Sequence, residues 1–155
     1  MTEEHAETDL ERSERNLNEL LQELRIALPG VQVLFAFLLA VPFQQRFDLV
    51  TTFERSVYFG TLICTAISTL LLIAPTAFHR LTFHRHQRPR LLRLANRFTI
   101  AGLLFLALAV CGAVTLITDF LYGSPTATLV AGVVSVVAFT LFWVVIPLVY
   151  RRHGP

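Results

Sequence analysis

Apolar residues in this chain gather into four long runs, at about 26–43, 57–78, 98–121 and 129–149, with short polar stretches between them. A helix needs roughly 20 apolar residues to cross a hydrocarbon core about 30 Å thick. Four such runs predict an all-α fold, a polytopic four-helix membrane bundle. Ahead of the first run the polarity repeats with helical period. At about 100° per residue, Leu17, Leu20, Leu21, Leu24, Ala27 and Leu28 share one arc, and Asn18, Glu19, Gln22, Glu23 and Arg25 lie opposite. Residues 16–28 therefore predict an amphipathic helix that continues without a linker into the first span, with Asn16 as N-cap and Glu19 completing a capping box. The preceding MTEEHAETDLERSER is acidic and nearly devoid of apolar residues, so residues 1–15 are expected to form a disordered acidic arm.

The first run is short for a straight span and carries Pro29, Gly30 and Gln32 early and Pro42 late. Either the end of the amphipathic helix dips into the headgroup region, or Pro29-Gly30 bends one continuous helix. Arg25, Pro29, Gln32 and Ala36 recur at helical spacing, and this stripe is expected to face neighbouring helices, because a lipid-facing amide lacks partners. Residues 44–56 predict a connector, with Phe43, Phe47 and Phe53 as interfacial anchors. In the second run Thr61, Cys64, Thr65, Ser68 and Thr69 put small and hydroxyl side chains at helical spacing, the mark of a close helix contact more often than of a conduction path. Pro75 is expected to bend or fray its end. Gly102, Ala109, Gly112 and Ala113 suit the third run to tight packing, and Gly132, Ser135 and Ala138 do the same for the Val-rich fourth.

Composition agrees with a membrane chain. Of 155 residues, 54% are hydrophobic and 15% charged, and a mean hydropathy of +0.60 lies well to the apolar side of soluble domains. So little polar sequence remains that no separate soluble domain fits, and residues 16–155 are expected to form a single membrane domain. The net charge of +2 conceals a division: eight of eleven acids lie between Glu3 and Glu23, and six of thirteen arginines between Arg80 and Arg97. The loop HRLTFHRHQRPRLLRLANR (79–97) is basic throughout, and the positive-inside rule assigns it to the cytoplasm. With four spans, both termini are then cytoplasmic, and only Arg46 and Arg55 face outward. The start of the chain has neither a basic n-region nor a cleavage site, so the first span is expected to direct insertion into the plasma membrane.

Candidate chemistry is sparse. His79, His84 and His86 invite a metal, but their spacing is not that of a helical ligand pair, no Cys or carboxylate lies nearby in sequence, and the flanking arginines repel cations. A basic membrane-flanking loop that meets anionic phospholipid is the plainer reading. Cys64 and Cys111 sit in different spans without a C-x-x-C partner and are expected to be packing residues. Glu19 and Glu23 stand one turn apart. A solvated face, a salt-bridge seam with Arg90, Arg93 and Arg97 of the basic loop, and a site for protons or cations all remain open for them. Asp119, the one acid within a predicted span, lies near its end and reads as a water-exposed cap in preference to a coupling site. No catalytic signature is present, and no enzyme, cofactor or metal is expected.

The pattern RNLNELLQELRIALPGVQVLFAFLLAVPFQQRF (15–47), with Tyr58, IAPTAFHRLTF (73–83) and Ala95-Asn96-Arg97, resembles a family of small four-span membrane proteins from high-GC Gram-positive bacteria, a domain of unknown function. The resemblance implies the four-helix architecture and supplies no substrate, cofactor or active site. Leu28-Pro29 stands where that family commonly has a polar Thr or Gln, so the bend at Pro29 is expected to be particular to this chain. Two functions follow as expectations. The first is a non-enzymatic membrane module, homo-oligomeric or accessory to another complex, with Glu19, Glu23, Arg25, Arg90, Arg93 and Arg97 as its interaction surface. The second is a small ion channel or proton-coupled transporter whose polar seam is Gln32, Thr61, Thr65, Ser68 and Asp119. Its expected partners are the lipid bilayer, anionic phospholipid and other membrane chains, with no nucleic acid.

Overall fold

A computed structural model of the chain describes residues 2–45, 47–81 and 88–153. All regular structure among the described residues is helical: α1 (Thr2–Ala40), α2 (Thr52–Leu81), α3 (Arg88–Tyr122) and α4 (Pro125–Thr140), followed by a π-helical stretch (Leu141–Val145) and α5 (Ile146–His153). Four segments are long and apolar enough to cross a membrane, Leu21–Phe43, Thr52–Phe78, Arg93–Tyr122 and Pro125–Tyr150. The protein is a four-helix membrane bundle, and each span is longer than the apolar run that predicts it.

Proline explains most of the irregular points. Pro42 lacks an N–H, and α1 gives way at Val41–Phe43 to a 3₁₀ turn, after which Gln44 is extended. A second 3₁₀ turn, Phe47–Leu49, leads to α2. In the fourth span the N–H of Ile146 bonds the carbonyl of Leu141, five residues back. Pro147 follows directly, and the wider π turn accommodates a ring that would otherwise press on the carbonyl of Trp143. Between α3 and α4, Gly123 takes a φ of 56° and donates its N–H to the carbonyl of Asp119 at 2.8 Å, which is how a left-handed glycine ends a helix. Ser124 is then the N-cap of α4 and Pro125 opens it.

Three expectations change here. The helix α1 begins at Thr2, so the backbone of 2–15 is helical where the sequence suggests a disordered arm; Glu, Ala, Leu and Arg are good helix formers, and α1 extends through them. For the same reason Asn16 lies inside α1 and is not its N-cap. The helix runs on through Pro29, which agrees with the reading of one continuous helix there, and α2 continues past Pro75 to Leu81. The basic loop narrows as well, because α2 reaches Leu81 and α3 starts at Arg88; His84, His86 and Arg85 lie outside the described residues.

The chain divides into two compact units, Met1–Phe37 with Thr65–Phe105, and Leu38–Cys64 with Leu106–Pro155. In the first, Leu24, Val31, Leu72, Ala95 and Thr99 are buried. Gly102 lets α3 approach α2 so closely that a Cβ there would lie 2.8 Å from Leu72 Cγ. Phe78 and Phe98 stack at 5.8 Å. In the second, Leu38, Tyr58, Thr61, Ala109 and Cys111 are buried, and Gly112 plays the part of Gly102: a Cβ on it would overlap the hydroxyl of Thr61 and come 3.2 Å from Thr61 Cβ. The fourth span is the least covered, with none of its most apolar window buried, as suits a Val-rich surface against lipid.

Thr61 cannot yield easily, being β-branched, 4% exposed and bonded to the Val57 carbonyl at 2.7 Å. Gly112→Ala should therefore cost about 1–3 kcal/mol in detergent unfolding titrations. Gly60, where an added Cβ would meet nothing within 4 Å, is the control: Gly60→Ala should be neutral or gain up to about 1 kcal/mol. Equal stability of the two variants would contradict the close contact.

Candidate functional site

The buried positions of α2 are Glu54, Tyr58, Thr61, Thr65, Ser68, Leu72 and Pro75, at intervals that alternate four and three. This is a heptad seam, the period with which two helices stay in contact along their length. It is unusual in its middle, where three consecutive positions carry hydroxyls. Each hydroxyl is accounted for locally or across the contact. Thr61 bonds its own helix, and Ser68 Oγ donates to the Gly102 carbonyl of α3 at 2.8 Å. Thr65 is fully buried and also has a partner. Among the described residues no buried side-chain N or O lacks a hydrogen bond. The seam thus carries polarity and is internally satisfied, which in hydrocarbon is what keeps it closed.

The N-terminal end of the seam holds two features that sequence reasoning missed. Thr51 and Glu54 form a reciprocal capping box, with the Thr51 N–H donating to Glu54 Oε2 at 2.7 Å and the Glu54 N–H to Thr51 Oγ1 at 3.2 Å. The T-x-x-E spacing is a readable signal inside what looks like a connector. Tyr58, 8% exposed, donates its hydroxyl to the carbonyl of Leu38 at 2.8 Å and meets Phe47 edge-on at 5.5 Å. The residue four beyond Leu38 is Pro42, which has no N–H to give. The phenol supplies the donor that the proline withholds.

Among the described side chains of α1 the buried ones are Leu24, Val31 and Leu38, spaced seven residues apart. The stripe Arg25, Pro29, Gln32 and Ala36 is exposed at all four positions, so it does not face the chain's own helices. The physical reason is that the apolar heptad takes the packed side, leaving the polar stripe to point away. Gln32 is the midpoint of the 23-residue candidate span Leu21–Phe43, and its side-chain amide makes no hydrogen bond among the described residues.

Glu19, Glu23, Arg25, Arg93 and Arg97 are likewise exposed, and among the described residues no ion pair joins them. The side chain of Arg90 lies outside the described residues. Of the polar-seam candidates, Thr61, Thr65 and Ser68 are buried, Gln32 is exposed, and Asp119 is half-buried at the end of α3. Asp119 Oδ1 accepts a hydrogen bond from Thr128 Oγ1 at 2.7 Å, and the same hydroxyl lies 3.0 Å from the Ser124 carbonyl. The carboxylate therefore ties the first turn of α4 to the last turn of α3. Beside it opens a cleft of about 660 Å³ within the second unit. Cys64 and Cys111 are free thiols. Among the described residues no group of three or more His, Cys, Asp or Glu could hold a metal ion.

These features fall within a single match: residues 6–147 fit the Family of unknown function (DUF6328). The chain belongs to this family. The matched span takes in the whole α2 seam, the Gln32 stripe and the Asp119 turn, so the geometry above is that of a DUF6328 domain. No curated protein and no solved structure matches the chain.

The Tyr58 bond yields a test within this DUF6328 chain. Tyr58→Phe strands the Leu38 carbonyl and should cost about 1–2 kcal/mol. In a Pro42→Ala background, where an N–H four residues on becomes available, the same substitution should cost less than half as much. A double-mutant cycle on detergent unfolding reads both; equal costs in the two backgrounds would show that the proline does not create the need for the phenol.

Proposed function

We propose that this chain is a non-enzymatic membrane module that acts by association, forming homo-oligomers through the exposed polar face of α1. One observation carries the reading, namely Gln32, exposed at the midpoint of a candidate span and without a hydrogen-bond partner among the described residues. Leaving an amide unpaired in hydrocarbon costs several kcal/mol on the order of water-to-alkane transfer. A carboxamide carries both donor and acceptor, so two copies related by a two-fold axis can satisfy each other reciprocally. The surroundings help. Ala36 is small and exposed, a methyl on Gly30 would touch nothing within 4 Å, and Pro29 deprives the Arg25 carbonyl of its helical donor. Small residues beside a polar one are what allow membrane helices to approach and bond.

The orientation that accompanies this reading is termini and basic segment in the cytoplasm of the cell membrane, supported by the uneven distribution of arginine between the two sides. Exposed Arg93 and Arg97 at the start of α3 suit contact with anionic phospholipid, at about 1 kcal/mol per arginine. The burial of Thr61, Thr65 and Ser68 favours helix packing over a transport path.

Cysteine crosslinking in native membranes tests the interface, with Cys64 and Cys111 first replaced by Ala. Gln32→Cys and Ala36→Cys should give dimers with a short bifunctional thiol reagent, and Val31→Cys, on the packed side, should not. Gln32→Leu should lower the dimer fraction of an otherwise unmodified protein, with an association constant roughly 3- to 30-fold weaker once the reciprocal amide pair is lost. Monomer at every position, or equal crosslinking at 31 and 32, would contradict the proposal.

A further inference from the structure

The cleft beside Asp119 has the composition of a small-molecule site. It lies between α3, α4 and Phe53, and Thr115, Asp119, Thr128, Gly132 and Val136 contribute to its walls. Its volume of about 660 Å³ falls within the range of ligand pockets, roughly 300–1,000 Å³. Gly132 sets its depth, since a Cβ there would come 3.1 Å from Thr115 Oγ1.

Polarity in the cleft is confined and already largely spoken for. Thr115 Oγ1 donates to the Cys111 carbonyl at 2.8 Å, and Thr128 Oγ1 donates to Asp119 Oδ1 at 2.7 Å. The second carboxylate oxygen of Asp119 has no partner among the described residues. No arginine or histidine lines the cleft, and the chain contains no lysine. An apolar cavity therefore ends in one anionic group that no described residue neutralises. Val133, Val136 and Val137 of α4 are exposed along its length, so it opens sideways, towards the lipid. Asp119 itself stands near the Tyr122 end of the candidate span Arg93–Tyr122, where a charged head would meet the membrane boundary.

We propose that this cleft binds lipophilic organic cations, with the apolar body against α4 and the positive centre at Asp119. Charge complementarity sets the sign of the ligand. A zwitterionic phospholipid fits less well, because its phosphate would arrive beside the carboxylate with no cationic side chain in the lining to receive it. The inference does not depend on association through α1.

Equilibrium binding of tetraphenylphosphonium to the full chain in phosphatidylcholine nanodiscs tests it, with empty discs as blank and tetraphenylborate as the anion of matching shape. Saturable binding of the cation and none of the anion is expected. Asp119→Asn, which keeps the acceptor for Thr128, should weaken binding about tenfold or more. Val136→Trp, which fills the cleft from an exposed position without touching the carboxylate, should weaken it as well, and Glu23→Gln should leave it unchanged. Binding no greater than to empty discs, equal binding of the borate, or wild-type affinity in both cleft variants would overturn the proposal. Competition by phosphatidylethanolamine discs would overturn the choice of a phosphate-free cation.

Discussion

Within hydrocarbon a polar group must find its partner in the protein, and the rest of this bundle depends on how α2 meets that demand. Its seam sets Thr61 against Gly112 in one unit and Ser68 on the Gly102 carbonyl in the other, with Thr65 fully buried. The hydroxyls are small enough for backbones to approach and polar enough to be costly if the contact opens. Packing and polar satisfaction thus act on the same residues, and a seam made this way specifies register better than an all-leucine one could.

The prolines extend the same logic. Each removes a backbone donor, and the structure answers in three different ways. At Pro42 a side chain substitutes, the Tyr58 phenol on the Leu38 carbonyl. At Pro147 the helix widens to a π turn. At Pro29 the helix continues, and the site faces outward on α1, close to Gln32. The first two are solved internally. The third coincides with the one polar amide at mid-span, which is why the α1 face is the place to look for a partner chain.

Much of this is legible in the sequence. Four apolar runs near the length of a bilayer suffice for the span count, and the helical spacing of Thr61, Thr65 and Ser68 suffices to make α2 a contact helix. Direction is harder than composition. Gln32 avoids lipid as a rule, but the rule does not say which chain covers it, and α1 has a second, purely apolar repeat through Leu24, Val31 and Leu38 that claims the packed side. The capping-box signature at Asn16 and Glu19 points one helix too early, because local spacing cannot reveal that a helix already runs through from Thr2; the box that forms, Thr51 with Glu54, carries the same signature. The Tyr58 bond and the Asp119 cleft are out of reach of sequence reasoning because each joins separate helical segments, and only their meeting creates the bond or the cavity.

Dry packing and a water-filled path along the hydroxyl seam differ in whether a polar reagent can reach it. Single cysteines placed along α2 in a background lacking Cys64 and Cys111, and exposed in sealed vesicles to a small charged methanethiosulfonate from either side, measure this directly. Dry packing predicts no reaction at Thr61→Cys, Thr65→Cys or Ser68→Cys on the timescale that modifies Gln44→Cys in the connector. Rapid modification at all three seam positions would contradict it and restore a conduction path as the function of the seam.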